Sequence, residues 1–238
     1  MNIGKAIVII PTYNEVENVD HMVETIMGLD ITIDVLFVDD NSPDGTANKI
    51  KQQQQKYPER IFLESRIGKL GLGTAYIHGF KFCLQQGYSF IIEMDCDFSH
   101  NPADLSRLLD ECKGGVDLAI GSRYCKGGKI KNWPLSRWLM SYFASLYVRF
   151  ILFINIKDTT AGFKCYRAEV LKSISLDKIH FVGYAFQICM KYAAIKKGFR
   201  LKEIPIIFED RKFGESKMST KIFKEAFFGV WKMRRMKL

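Results

Sequence analysis

A chain of 238 residues, 47% of them hydrophobic, has the composition of an ordinary globular protein and the length for one large α/β domain with its own core. Six scattered cysteines with no CxxC pair, and no signal peptide before them, argue against a zinc ribbon or a secreted disulfide scaffold and for reduced thiols in a cytosolic protein. The net charge of +9 is concentrated in residues 123–137 and 211–238, leaving a mildly acidic body, so an anionic partner is expected on one side: nucleic acid, a phosphorylated ligand or anionic lipid headgroups.

From the N-terminus, residues 5–11 (KAIVIIP) predict a strand, 15–29 a helix, 33–40 a second strand, 44–56 a helix and 60–65 a third strand. A helix over about 71–86, a strand over 89–94, a helix over 102–112 and a strand over 116–122 follow. Apolar strands without polar alternation, separated by helices, imply a parallel sheet covered on both faces. Beyond it, the pattern gives a long apolar helix from Pro134 to Ile154, the segment DTTAGFKCYR (158–167), a helix near 183–197, a strand over 200–208 and a last helix. The run 142–156 is interrupted by Arg149 and is short for a membrane span, which needs about 20 apolar residues. A core or interfacial helix is expected there.

Ligands of open α/β sheets bind beyond the carboxyl ends of the strands. Pro11–Glu15, Asp39–Asp40, Asp95–Asp97 and Ser122–Arg123 all fall just past predicted strand ends, so four polar clusters converge on one rim.

Asp95 and Asp97 are spaced i and i+2, which in a strand places both carboxylates on one side, in reach of one cation. Mg²⁺ or Mn²⁺ takes such hard oxygen ligands and shares its sphere with substrate phosphates. The alternative is a strand-end turn in which Asp97 or Ser99 caps the next helix. In PTYNE (11–15), Asn14 caps a helix, or Tyr13 and Glu15 meet a nucleotide. In VDDNSPDGT (38–46), Ser42 caps a helix from Pro43, or the carboxylates bind ribose or base. GKLGLG (68–73) lacks the spacing of a P-loop and of GxGxxG; its glycines would admit a ligand, with Lys69 near its charge. Arg123 and Arg137, in a glycine-punctuated basic loop, suit forked recognition of phosphate. The tail 219–238 has an apolar face of Phe223, Ala226, Phe227, Val230 and Trp231, which either packs on the domain or lies on a membrane surface.

Taken in order, PTYNE, VDDNSPDGT, GKLGLG, MDCDFSHNP, GSRY, GGKIKNWPLSR and FGESK resemble the dolichol/polyprenyl-phosphate mannosyltransferases of glycosyltransferase family 2, over about residues 5–220. The resemblance implies a GT-A (Rossmann-like) fold over residues 1–218, a basic amphipathic helix over 219–238, a GDP-mannose donor, a polyprenyl phosphate acceptor and inversion at the anomeric carbon. By position it implies that Pro11, Thr12, Tyr13, Glu15, Val38, Asp40 and Lys69 hold the nucleotide, and that Asp95, Asp97 and Ser99 hold the divalent cation. Arg123, Arg137, Ser141, Arg211 and Lys217 would face donor diphosphate and acceptor phosphate. Many relatives append transmembrane helices. This chain resembles the truncated kind, expected at the cytoplasmic face of a membrane through an amphipathic surface or a small membrane partner.

An ionised phosphate acceptor needs positioning rather than a general base, which fits an arginine-rich acceptor side. Three other readings compete: sugar transfer from another nucleotide sugar or to a hydroxyl, nucleotidyl transfer from an NTP, and nucleic-acid binding. The last has no recognised motif, and the aspartate rim would repel a backbone.

Overall fold

The computed structural model describes residues 4–210 and 220–236. The predicted strands form one sheet: β1 (Ala6–Thr12), β2 (Asp34–Asp39), β3 (Ile61–Ser65), β4 (Phe90–Glu93) and β5 (Leu118–Ser122). With β7 (Lys164–Arg167) and β8 (Leu201–Pro205) it has seven strands in the order β3-β2-β1-β4-β7-β5-β8. All run in one direction except β7, which is antiparallel to both neighbours. Alternation along the strands builds two cores. Ile7 and Ile9 face one layer, and Val8 and Ile10 face the other.

Helices α1 (Val16–Met27), α2 (Thr46–Lys56) and α4 (Asp104–Lys113) cover the second face. The first is covered by α3 (Leu72–Gln85), α5 (Leu135–Leu152), α6 (Ala168–Ser173) and α7 (Tyr184–Lys196), with α8 (Thr220–Arg235) packed on α5 and α7. No helix among the described residues is long and apolar enough to cross a membrane. All six cysteines are free thiols.

Sequence reasoning missed β7. It is short, and it carries Lys164, which is fully buried because Glu93 on β4 lies 3.2 Å from its ammonium. The single strand expected over 200–208 is two. β8 ends at Pro205, an edge position that tolerates the missing N–H, and β9 (Ile207–Glu209) pairs with β6 (Lys129–Lys131) in a separate ribbon.

The helix caps also differ from expectation. Asn14 adopts a left-handed φ of 56° and caps nothing, and α2 begins at Thr46 rather than Pro43. Ser42 instead donates from Oγ to Asp39 Oδ1 (2.6 Å) and accepts from the Asn14 N–H (3.0 Å). Asp44 Oδ1 accepts from the Thr46 N–H and hydroxyl. Turn chemistry therefore accounts for Asp39, Ser42 and Asp44, which stitch the loops after β1 and β2 together.

The last glycine of GKLGLG serves packing. A Cβ at Gly73 would lie 2.4 Å from the Phe181 carbonyl oxygen, and the Gly73 N–H donates to Val182 O at 2.9 Å. Gly71, with φ of 100°, turns the chain into α3 and lines the cavity described next.

Candidate active site

Parallel strands place the loops after β1, β2, β3, β4 and β5 on one rim, and those loops line a cavity of about 350 Å³. Pro11, Thr12, Tyr13, Glu15, Asp40 and Lys69 are part of its wall. The Lys69 ammonium lies 4.3 Å from the centre of the Tyr13 ring. Val38 is not part of the wall; its side chain is fully buried in the core on β2. Burial pushes the Asp40 carboxyl above the ordinary range, although Arg66 Nε lies 3.1 Å from Oδ1. Arg66 was missed in the sequence; its signal is a cation one residue past β3, the same strand-end position as the acidic clusters.

Beyond β4, Asp95 and Asp97 sit in a turn rather than on a strand, because β4 stops at Glu93. Both still line the cavity. The turn is fixed by its own polar groups. Phe98 takes a left-handed φ of 58°, the Ser99 N–H donates to Asp97 Oδ1 (3.0 Å), and the Asp95 N–H donates to His100 Nδ1 (3.2 Å). Neither Asp97 nor Ser99 caps α4; Asn101 Oδ1 instead accepts from the Ala103 N–H at 3.1 Å, just ahead of that helix. Burial pushes the His100 imidazole down to about 4.

The donor set suits a hard divalent cation. Two carboxylates line the wall with buried Ser99 beside them, and no described group of three or more His, Cys, Asp or Glu side chains could hold a metal unaided. Such a site suits an ion that completes its sphere with substrate phosphate and water.

The arginines are already paired with carboxylates. Arg123 donates from Nε and Nη2 to buried Asp158 and from Nη2 to Thr160 Oγ1 (2.8 Å), while the rings of Tyr124, Trp133 and Phe208 surround it. It lines the cavity, but its fork faces Asp158 rather than standing open for phosphate, as the sequence suggested. Burial opposes the Asp158 charge, yet Arg123 holds its carboxyl below the usual range. Arg137, on α5, lies 4.1 Å above the Trp133 ring and donates from Nη1 to Asp210 (2.9 and 3.1 Å) at the cavity wall. Ser141 follows one turn later beside Tyr124, outside the wall. Arg211 and Lys217 lie outside the described residues.

The remaining wall was invisible in the sequence. Ala161 and Gly162, from the loop before β7, face Gly183, Tyr184 and Gln187 at the start of α7. Behind them, Glu93 Oε1 accepts from the Tyr166 hydroxyl (2.8 Å) and pairs with Lys164. Buried Lys191 donates to the carbonyls of Thr159 (2.9 Å), Ala161 (2.7 Å) and Gln187 (3.2 Å).

Comparison with known proteins agrees with this arrangement. The family model for glycosyl transferase family 2 matches residues 7–175. The chain is 46% identical over 232 residues to the polyprenol monophosphomannose synthase of Mycolicibacterium smegmatis, covering 97% of this chain and 88% of that one. It is 44% identical over 226 residues to the undecaprenyl-phosphate mannosyltransferase of Micrococcus luteus, covering 95% and 92%. With the dolichol-phosphate mannosyltransferase of Pyrococcus furiosus it shares 36% identity over 97% of this chain and 64% of that longer protein. Among solved structures, glucosyl-3-phosphoglycerate synthase from Mycobacterium tuberculosis, in complex with Mn²⁺, UDP and glucosyl-3-phosphoglycerate, aligns over 99% of this chain and 81% of its own. The TM-score is 0.71 at 14% identity, a likeness of fold that gives the sheet and its helices a GT-A-like architecture. The chain belongs to glycosyltransferase family 2 and is a glycosyltransferase.

Proposed function

We propose that the protein transfers mannose from GDP-mannose to the phosphate of a polyprenyl phosphate, with inversion at the anomeric carbon. The observation that carries this reading is one cavity lined both by two aspartates past β4 and by Arg137. The names of the relatives at 46% and 44% identity support the sugar and the lipid class.

In this reading Pro11, Thr12, Tyr13, Glu15, Asp40 and Lys69 bind the nucleoside and orient it. Asp95, Asp97 and Ser99 would hold Mg²⁺ or Mn²⁺, which neutralises charge on the departing diphosphate; solved neighbours of the same fold carry Mn²⁺ or Mg²⁺ with UDP. Arg137, with Arg211 and Lys217, would receive the acceptor phosphate, and Asp210 would yield Arg137 to it. Arg123 positions the 158–162 loop through Asp158 and Thr160. An acceptor oxygen forms the new bond to the anomeric carbon as the bond to the diphosphate breaks on the opposite face. The acceptor is already ionised, so no proton has to move.

The lipid substrate places the work at a membrane surface, here the cytoplasmic face with the protein bound peripherally. Phe143, Phe150 and Phe153 at α5 are 60%, 74% and 73% exposed, and Phe228 on α8 is 68% exposed. The two helices are joined where Tyr147 stacks on Phe227 at 4.8 Å, and Lys232, Arg234 and Arg235 crowd the end of α8.

A second reading, transfer to a hydroxyl, rests on Asp210, a carboxylate at the cavity wall that would serve as the base. Incubation with radiolabelled GDP-mannose, UDP-glucose and other nucleotide sugars, with a short polyprenyl phosphate or the matching alcohol, decides. A labelled lipid phosphate formed only from GDP-mannose is expected. Labelling from UDP-glucose, or of the alcohol, would overturn the assignment.

A further inference from the structure

Gln187 lies one turn into α7, is 3% exposed, and lines the cavity. Its Oε1 accepts from the Lys164 ammonium, which has donors only, and this fixes which way the amide points. The nitrogen faces Gly162. A Cβ built at 162 would lie 3.6 Å from Gln187 Nε2 and 3.7 Å from His100 Cε1, and all three residues line the cavity. No acceptor among the described residues pairs with Nε2. A buried amide donor thus stands at a gap that a glycine leaves open.

The gap is held rigidly. Lys191 ties the Thr159 and Ala161 carbonyls to that of Gln187, so the loop before β7 and the start of α7 keep their spacing. It also adjoins the carboxylate turn, because His100 on its border takes the Asp95 N–H. In the sugar-transfer reading, a sugar joined to a diphosphate at Asp95 and Asp97 would lie in the same cavity beside that turn. Gly162, Ala161, Gly183 and Gln187 bring no charged side chain there, which suits an uncharged hydroxylated ring.

We propose that Gln187 is a specificity-determining residue, its Nε2 donating to a hydroxyl oxygen of the transferred hexose while Lys164 fixes its orientation and Gly162 leaves room for the ring. The proposal rests on the sugar-transfer reading above and deepens it.

The test is a cycle of variants against donors. Gln187→Met removes the amide. Gln187→Glu keeps an oxygen for Lys164 but replaces the donor with an acceptor, and the melting temperature reports whether the fold bears the added buried charge. Gly162→Ala adds a methyl at ordinary contact distance from its protein neighbours. Each is assayed with GDP-mannose and its monodeoxy analogues, with GDP affinity from calorimetry and melting temperature as controls. Both Gln187 variants should lose about 10- to 100-fold in kcat/KM, with GDP affinity unchanged. One deoxy donor should reduce wild-type turnover by a similar factor and reduce the Gln187 variants no further. Gly162→Ala should melt like wild type and transfer poorly.

If GDP affinity falls together with turnover, Gln187 contacts the diphosphate and the proposal is wrong. It is equally wrong if every deoxy donor affects wild type and the Gln187 variants alike. Should wild type refuse GDP-mannose, the donor assignment has failed instead, and the same cycle runs on whichever nucleotide sugar it turns over.

Discussion

The Arg123 guanidinium and the Asp158 carboxylate meet through two parallel hydrogen bonds, 2.7 Å from Nε to Oδ2 and 2.6 Å from Nη2 to Oδ1, with side chains 8% and 0% exposed. Removing one partner of such a pair leaves a buried charge uncompensated. Asp158→Asn should therefore destabilise the fold by about 3–5 kcal/mol, read as a lower midpoint in urea. The pH dependence follows from the lowered Asp158 carboxyl. Its stabilisation is complete above the unfolded value of about 3.9 and disappears as pH falls through the lower folded value. An unchanged midpoint would mean that the pair contributes nothing net.

Asp97→Asn should abolish transfer while leaving the melting temperature close to that of wild type, since the amide oxygen of the substituted side chain can still accept from the Ser99 N–H. EDTA should silence wild type, with recovery on adding Mg²⁺ or Mn²⁺. Full activity after either treatment rules out the metal site.

Arg137→Ala and Arg211→Ala should each remove a charge-assisted contact to the acceptor, weakening use of polyprenyl phosphate roughly 10- to 150-fold at constant GDP affinity. Lysine should restore only part, because an ammonium cannot make the forked contact. Collapse of GDP binding would move these residues to the donor site.

Deleting the tail after Thr220 would be a poor test of membrane binding, because Val230 and Met233 of α8 are fully buried. Phe150→Ser with Phe228→Ser alters only exposed rings. The double variant should sediment less with anionic vesicles than wild type, and wild type itself less at high salt, where charges are screened. Equal sedimentation of the two proteins would exclude this face.

Gly73→Ala should destabilise by about 1–3 kcal/mol, since the new methyl would lie 2.4 Å from a backbone oxygen and 2.8 Å from Phe186 Cγ. A wild-type melting temperature would show that α3 can shift to make room.

What the sequence determined by itself was whatever one continuous stretch encodes. Buried strands read as apolar runs, so β1 to β5 were legible, and the strand-end rule alone placed Asp40, Asp95 and Arg123 on one rim. Tertiary structure decided every pairing between distant stretches. Asp158 answers Arg123 across 35 positions, and Lys164 answers Glu93 from a strand inserted between β4 and β5. Nothing in the GFKCYR stretch marks Lys164 as buried, because a lysine is buried only when a partner removes the penalty for its charge, and that partner is set by topology. Gln187 is the same case: its helical stretch is ordinary, and only the lysine against its oxygen and the glycine before its nitrogen turn it towards the cavity.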